Sequence, residues 1–142
     1  FFSQALNADE AFEEAQFVLD KIKGYDISFP VVFDWETVSS DTARTNNIET
    51  EDLCQAANTF CNTIADAGYI PMVYCNQNVS MVYYELSRIQ AFDFWYAEYK
   101  DQPTFYYNFD IWQYSDSAKL DGVPNANIKK KISFVDYSRL TP

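Results

Sequence analysis

Two hydrophobic periodicities alternate along the first half of this 142-residue chain. Phe12, Ala15, Val18, Leu19 and Ile22 recur at the three- and four-residue spacing of a helix face. Asn7 can cap that helix, with Glu10 three residues on, and Gly24 supplies its stop. Ser28 to Glu36 then reads as a buried strand, because Val31, Val32, Phe33 and Trp35 leave neither face polar until Asp34 and Glu36 arrive. From Thr37 to Asn47 only Val38 and Ala43 are apolar, which predicts an exposed loop. A second helix opens at Thr50 or the acids after it, sets Leu53, Ala57, Phe60 and Ile64 on one face, and ends at Gly68. Ile70 to Cys75 is a further apolar strand leading into Asn76-Gln77-Asn78, and a shorter helix is expected from about Ser80 to Arg88. Strands are predicted at Phe92–Tyr99, Phe109–Tyr114 and Ile132–Asp136. Asp121-Gly122 signals a turn, and Lys129-Lys130-Lys131 reads most simply as a solvated turn or strand edge.

Strand and helix alternate at first, which implies parallel βαβ units; later strands follow with little helix between them. Polar residues recur just after the predicted strands: Asp34 and Glu36, then Asn76, Glu98, Gln113 and Asp136. In a barrel all those ends share one mouth, where such enzymes keep their sites. Five strands after the initial Phe1-Phe2-Ser3 are too few for a closed eight-stranded barrel. Either the sheet is open or about three amino-terminal strands are absent. No repeat or low-complexity linker divides the chain, so residues 1–142 are expected to form one domain.

The strand ending in Asp34-Trp35-Glu36 carries the most suggestive chemistry. Side chains alternate across a strand, so Asp34 and Glu36 point to one side and Phe33 and Trp35 to the other. At a rise of ~3.3 Å per residue the two acids have Cβ atoms roughly 6–7 Å apart, a spacing suited to two carboxyl groups acting on one bond. The plainer reading is that solvated strand ends collect acids.

Composition narrows the alternatives. The chain has no histidine, which excludes a Ser-His-Asp or Cys-His mechanism and any imidazole-bound metal within it. Cys54, Cys61 and Cys75 show no CxxC spacing, and the first two lie about 10 Å apart by helix rise, so buried free thiols are expected and neither zinc nor redox chemistry is indicated. No cofactor is indicated: with three glycines there is no phosphate-cradling loop. A formal charge of −11 argues against nucleic acid or an anionic membrane as partner, and gives no steering toward an anionic cell wall. Twelve Phe, eleven Tyr and three Trp exceed what a core needs and suit surfaces that stack on flat ligands, sugars among them. The sequence shows no signal peptide and no apolar run of transmembrane length.

Pro30-Val31-Val32-Phe33-Asp34-Trp35-Glu36 resembles the Asp-x-Glu strand of family 25 glycoside hydrolases, the muramidases. The likeness continues in order. Phe2-Ser3-Gln4-Ala5 with Ala11 to Leu19 is similar to their third strand and its helix, and Ala67 to Tyr74 to their fifth strand. Phe94-Trp95-Tyr96-Ala97-Glu98-Tyr99 and Asp110-Ile111-Trp112-Gln113-Tyr114-Ser115 resemble the next two, and Val135-Asp136 the last. Family members begin with a strand carrying an aspartate that has no counterpart here, and their final Asp-x-Asn stands here as Asp136-Tyr137-Ser138. The resemblance therefore implies an α/β, TIM-like (β/α) barrel, irregular with helix-poor last strands and amino-terminally incomplete, this chain being its carboxy-terminal two-thirds. A dimer, or an additional segment completing the barrel, is expected to close the sheet.

What the resemblance implies chemically is hydrolysis of the β-1,4 bond between N-acetylmuramic acid and N-acetylglucosamine in peptidoglycan glycan strands, by a secreted or cell-wall-associated protein. Glu36 would be the general acid, kept protonated by burial and by the charge of Asp34. Asp34 would stay ionised and orient the substrate's N-acetyl group, itself a nucleophile in some glycosidases, or act as base or direct nucleophile. Asp136 would face them across the mouth. Tyr74, Tyr96, Glu98, Trp112 and Gln113 would bind the sugars, with core packing as the alternative fate of each aromatic. Two other classes stay open: a carbohydrate-binding or scaffold module with a degenerate site, and an unrelated open α/β protein binding a small ligand at its strand ends.

Overall fold

The computed structural model describes residues 1–123 and 126–140. In chain order its main elements are α1 (Ala8–Ile22), β1 (Val31–Asp34), α2 (Thr50–Asp66), β2 (Pro71–Asn76), β3 (Asp93–Ala97), β4 (Ile111–Ala118) and β5 (Ile128–Ser133). The strands form one sheet in the order β1-β2-β3-β4-β5, a curled half-barrel. β1 to β4 are mutually parallel, and β5 returns antiparallel to β4. Beyond β1 the amino-terminal residues continue the sheet: Phe2 bridges Asp34 in parallel, Asp34 N donates to Phe1 O at 2.9 Å and Ser3 N to Asp34 O at 2.8 Å.

Local chemistry explains the helices. The Asn7 side chain accepts a hydrogen bond from Glu10 N at 3.0 Å, and Glu10 reaches back to Leu6 N at 2.9 Å, a capping box displaced by one residue. α1 ends where Gly24 takes φ +86°, a left-handed turn that costs glycine little. The buried face of α1 is made of Ala11, Ala15 and Val18, and Phe12, expected on that stripe, is half exposed. Small residues let α1 lie close to α2, and a phenyl ring on that face would hold the helices apart.

The sheet has two distinct faces. Phe33, Trp35, Val73, Cys75, Phe94 and Tyr96 point toward the helices and join Leu53, Phe60, Cys61 and Ile64 in the main core. Cys54, Cys61 and Cys75 are buried free thiols there. On the other face Val32, Met72, Trp95 and Ile111 form a thinner cluster with Tyr137.

Two further expectations change. The helix expected over Ser80–Arg88 is instead a π-type turn, Val79–Tyr83, and a 3-10 turn, Leu86–Arg88, with extended backbone at Tyr84 and Glu85 between them. The residues buried there, Val79, Tyr84, Leu86 and Ile89, do not recur at one helical spacing, so burying them breaks the helix. The last strand, expected over Ile132–Asp136, is Ile128–Ser133 and runs the opposite way from β4. Residues 119–127 are too few for the crossover that a parallel neighbour needs, so the chain reverses near Asp121-Gly122 into a hairpin.

Phe60 joins the helix layer to the sheet, fully buried with its ring 5.3 Å from that of Phe33. Phe60→Ala is expected to lower unfolding free energy by about 3–5 kcal/mol in a denaturant titration. A loss below about 1 kcal/mol would show that this contact does not organise the core.

Candidate active site

Register builds the site. Asp34 pairs with Tyr74, Tyr74 with Trp95 and Trp95 with Ile111, so these side chains form one row on the face away from the helices. One step toward the strand ends, Asn76, Ala97 and Gln113 form a second row, with Glu36 just past the end of β1. Above them opens a cleft of about 550 Å³ bordered by Glu36, Tyr74, Asn76, Gln77, Glu98 and Tyr99, among others. That volume lies in the range of small-ligand sites, and its position is the carboxyl-terminal mouth of the parallel strands.

Asp34, Glu36 and Tyr74 act on one another. Burial pushes the Asp34 carboxyl up to about 6, and the neighbouring Glu36 charge adds to it, against the pull of nearby positive charge including Lys129. Asp34 Oδ1 is buried and accepts no hydrogen bond among the described residues. The Tyr74 hydroxyl is raised well above the usual tyrosine range, by burial first and then by the charges of Glu36, Tyr99 and Asp34. Its ring meets Trp95 edge-on at 5.3 Å, which fixes its direction. Gln113 is buried, with Nε2 donating to the Tyr99 hydroxyl at 2.9 Å and Oε1 without a partner among the described residues.

Asp34 therefore remains mostly ionised at neutral pH, although burial brings its protonation closer to neutrality than that of an exposed aspartate. Asp34 is the carboxyl that its surroundings push upward, and it takes up a proton as pH falls through about 6.

Other expected site residues lie elsewhere. Asp136 is not across the mouth. Because β5 runs antiparallel, it ends beside the start of β4, with Ser133 opposite Ile111, and Asp136 follows at the far end of the sheet. There the Tyr137 hydroxyl donates to Asp93 Oδ2 at the start of β3 (2.8 Å), and Asp136 pairs with Arg139 at 2.9 Å. Tyr96 is fully buried on the helix side, stacked on Phe105 at 4.3 Å, and does not border the cleft. Trp112 pairs in register with Tyr96, on that same side, and its Nε1 donates to Glu98 O at 2.9 Å. Both belong to the half of the strand alternation that points away from Asp34.

Glu98 stands at the cleft but its oxygens are engaged. Thr104 N and Thr104 Oγ1 each donate to it at 2.6 Å, and Lys100 Nζ lies 2.7 Å away. Burial alone would raise this carboxyl; the hydrogen bonds from Lys100 and Thr104 overcome it and hold the group down at about 2.

Sequence reasoning missed Tyr99, Lys129 and Lys131. Tyr99 follows Ala97 by two residues, the alternation that would have placed it on the open face. Lys131 Nζ sits 4.0 Å from the Trp95 ring centroid, a cation–π contact reaching across from β5. Nothing short of the hairpin's register reveals it. Among the described residues no group of three or more His, Cys, Asp or Glu is placed to hold a metal ion.

The family model for glycosyl hydrolases family 25 matches residues 1–123. The chain belongs to that family. No curated protein matches it. Among solved structures, the modular Cpl-1 endolysin, complexed with a peptidoglycan analogue, is 26% identical at a TM-score of 0.66, covering 95% of this chain and 38% of that one. The modular autolysin LytC from Streptococcus pneumoniae, in complex with a synthetic peptidoglycan ligand, gives 21% identity and a TM-score of 0.75 over 90% of this chain and 31% of that one. A family 25 glycosyl hydrolase from Bacillus anthracis gives 18% and 0.73 over 99% and 64%. This family 25 chain thus spans less than two thirds of the length of each.

Asp34 supplies a stability test of the site. Its folded pKa is raised above the ordinary 3.8, so ionised Asp34 costs stability in full above pH 6, and the cost fades out only below about pH 3, where both states are protonated. Asp34→Asn is expected to stabilise the fold by about 1–2 kcal/mol at pH 7.5, after discounting for Asp34's partial exposure, and by almost nothing at about pH 3. Thermal unfolding at the two pH values reads this directly, and a gain independent of pH would refute the burial of Asp34.

Proposed function

We propose that this chain carries the acid and the stabilising carboxylate of a peptidoglycan muramidase, hydrolysing the β-1,4 bond between N-acetylmuramic acid and N-acetylglucosamine. The observation that carries the reading is the meeting of Asp34, Glu36 and Tyr74 at the mouth of parallel strands in a family 25 chain. Relatives of the same fold bind peptidoglycan analogues, which supports the choice of glycan.

In this reading Glu36, on the cleft wall, protonates the leaving oxygen of the scissile bond. Asp34, one level below, is mostly ionised at neutral pH and faces the substrate's N-acetyl group, orienting it as nucleophile, or serves as base. The Tyr74 hydroxyl stays protonated and donates into the same space. Gln113, through Tyr99, and Tyr99 itself hold the sugar from the β3 side. Glu98 keeps the rim in shape, since its lone pairs are already occupied. Further strands of the barrel, or a second copy of the chain, cover the open face where Phe2 is half exposed. Such a protein works at the cell wall, and no helix among the described residues is long and apolar enough to cross a membrane.

A second reading is a glycan-binding module without turnover. The position of Asp136 at the opposite end of the sheet favours it, because the mouth then holds one carboxylate fewer than expected.

Glu36→Gln separates the two. The swap is nearly isosteric, so binding to insoluble peptidoglycan is expected to persist while release of soluble glycan falls about 10²–10⁴-fold. Release at the wild-type rate would remove Glu36 from the acid's role, and a wild-type chain that binds without any release would favour the module.

A further inference from the structure

The β3–β4 connection carries Tyr99, Phe105, Tyr106 and Tyr107 within nine residues. Phe105 stacks on buried Tyr96 at 4.3 Å, and Tyr107, half exposed, lies 5.4 Å from Phe105. Tyr106 is 99% exposed, and Met81, on the turn facing this loop, is 66% exposed. With Gln77, Tyr96 and Thr104 they enclose a depression of about 350 Å³. No charged side chain lines it, in a chain whose net charge is −11.

This depression continues the cleft. Gln77 borders both. Glu98, on the cleft wall, takes both the backbone N–H and the hydroxyl of Thr104, which borders the depression, so one buried carboxylate fastens the aromatic loop to the cleft. Anchoring the loop backbone at Thr104 lowers what ordering the loop on a ligand would cost.

We propose that this depression is a further glycan subsite, which takes a neutral N-acetylated sugar beyond those flanking the cleaved bond. The inference rests on the glycosidase reading above. Tyr106 and Tyr107 meet the apolar face of the sugar ring, and the Gln77 amide hydrogen-bonds its hydroxyl or acetamido group. The uncharged lining selects a sugar over the stem peptide, whose carboxylates this acidic chain would repel. Glu98 is here a positioning residue acting through Thr104.

Titration of the whole chain with peptide-free peptidoglycan glycan strands tests this. Tyr106→Ala is expected to weaken binding roughly 3- to 10-fold. Tyr106→Phe, which keeps the ring face, is expected to restore most of that loss. Tyr25→Ala serves as control, because Tyr25 is also exposed but follows α1, at the end of the sheet away from the cleft. Wild-type affinity in Tyr106→Ala, or an equal loss in Tyr25→Ala, would overturn the subsite and leave the glycosidase reading standing. A wild-type chain that binds no glycan strand would overturn both.

Discussion

Parallel pairing of β1 with β2 and of β2 with β3 decides which side of the sheet each chemical group takes. Phe33, Val73 and Phe94 are aligned partners, and the helices draw all three into the main core. Because side chains alternate, that burial sends Asp34, Tyr74 and Trp95 to the opposite face as a single row. A slip of one residue in β1 would bury Asp34 against Phe60 and expose Phe33. The apolar core thus specifies the position of the carboxylates without touching them.

Electrostatics on that face are set by burial more than by net charge. Asp34 is pushed up to about 6 although the chain carries eleven more acidic than basic groups, because loss of solvent is the largest contribution and Glu36 the second. Glu98 goes the other way, since three donors meet its oxygens. Two carboxyl groups near one mouth are therefore pushed in opposite directions, one up toward neutrality and one down. Such separation is what lets neighbouring acids take different tasks. Lys129, brought over by β5, tempers the negative field at Asp34 from across the sheet.

Much of this was legible in the sequence because it is local. The Asn7 cap, the α2 stripe of Leu53, Ala57, Phe60 and Ile64, and the common side of Asp34 and Glu36 follow from periods of 3.6 and 2. The free buried cysteines followed from their spacing. What sequence could not supply was the direction of the last strand. Read as parallel, it carried Asp136 to the mouth; as the second arm of a hairpin, it carries Asp136 away and brings two lysines in. Tyr96 and Trp112 were misplaced for a related reason. Each is aromatic and close to Ala97 or Gln113, but neighbours along a strand face opposite ways, and only the pairing shows which face is open. The half-exposed Phe12 was lost to a different constraint, the close approach of α2 to the alanine-lined face of α1.

The central claim is that a bond in the glycan strand is broken at a defined sugar. Digestion of purified peptidoglycan followed by mass spectrometry of the released fragments reads that bond directly. The account predicts new reducing ends on N-acetylmuramic acid. Fragments that instead end in reducing N-acetylglucosamine, or glycan left intact by bound protein, would contradict it.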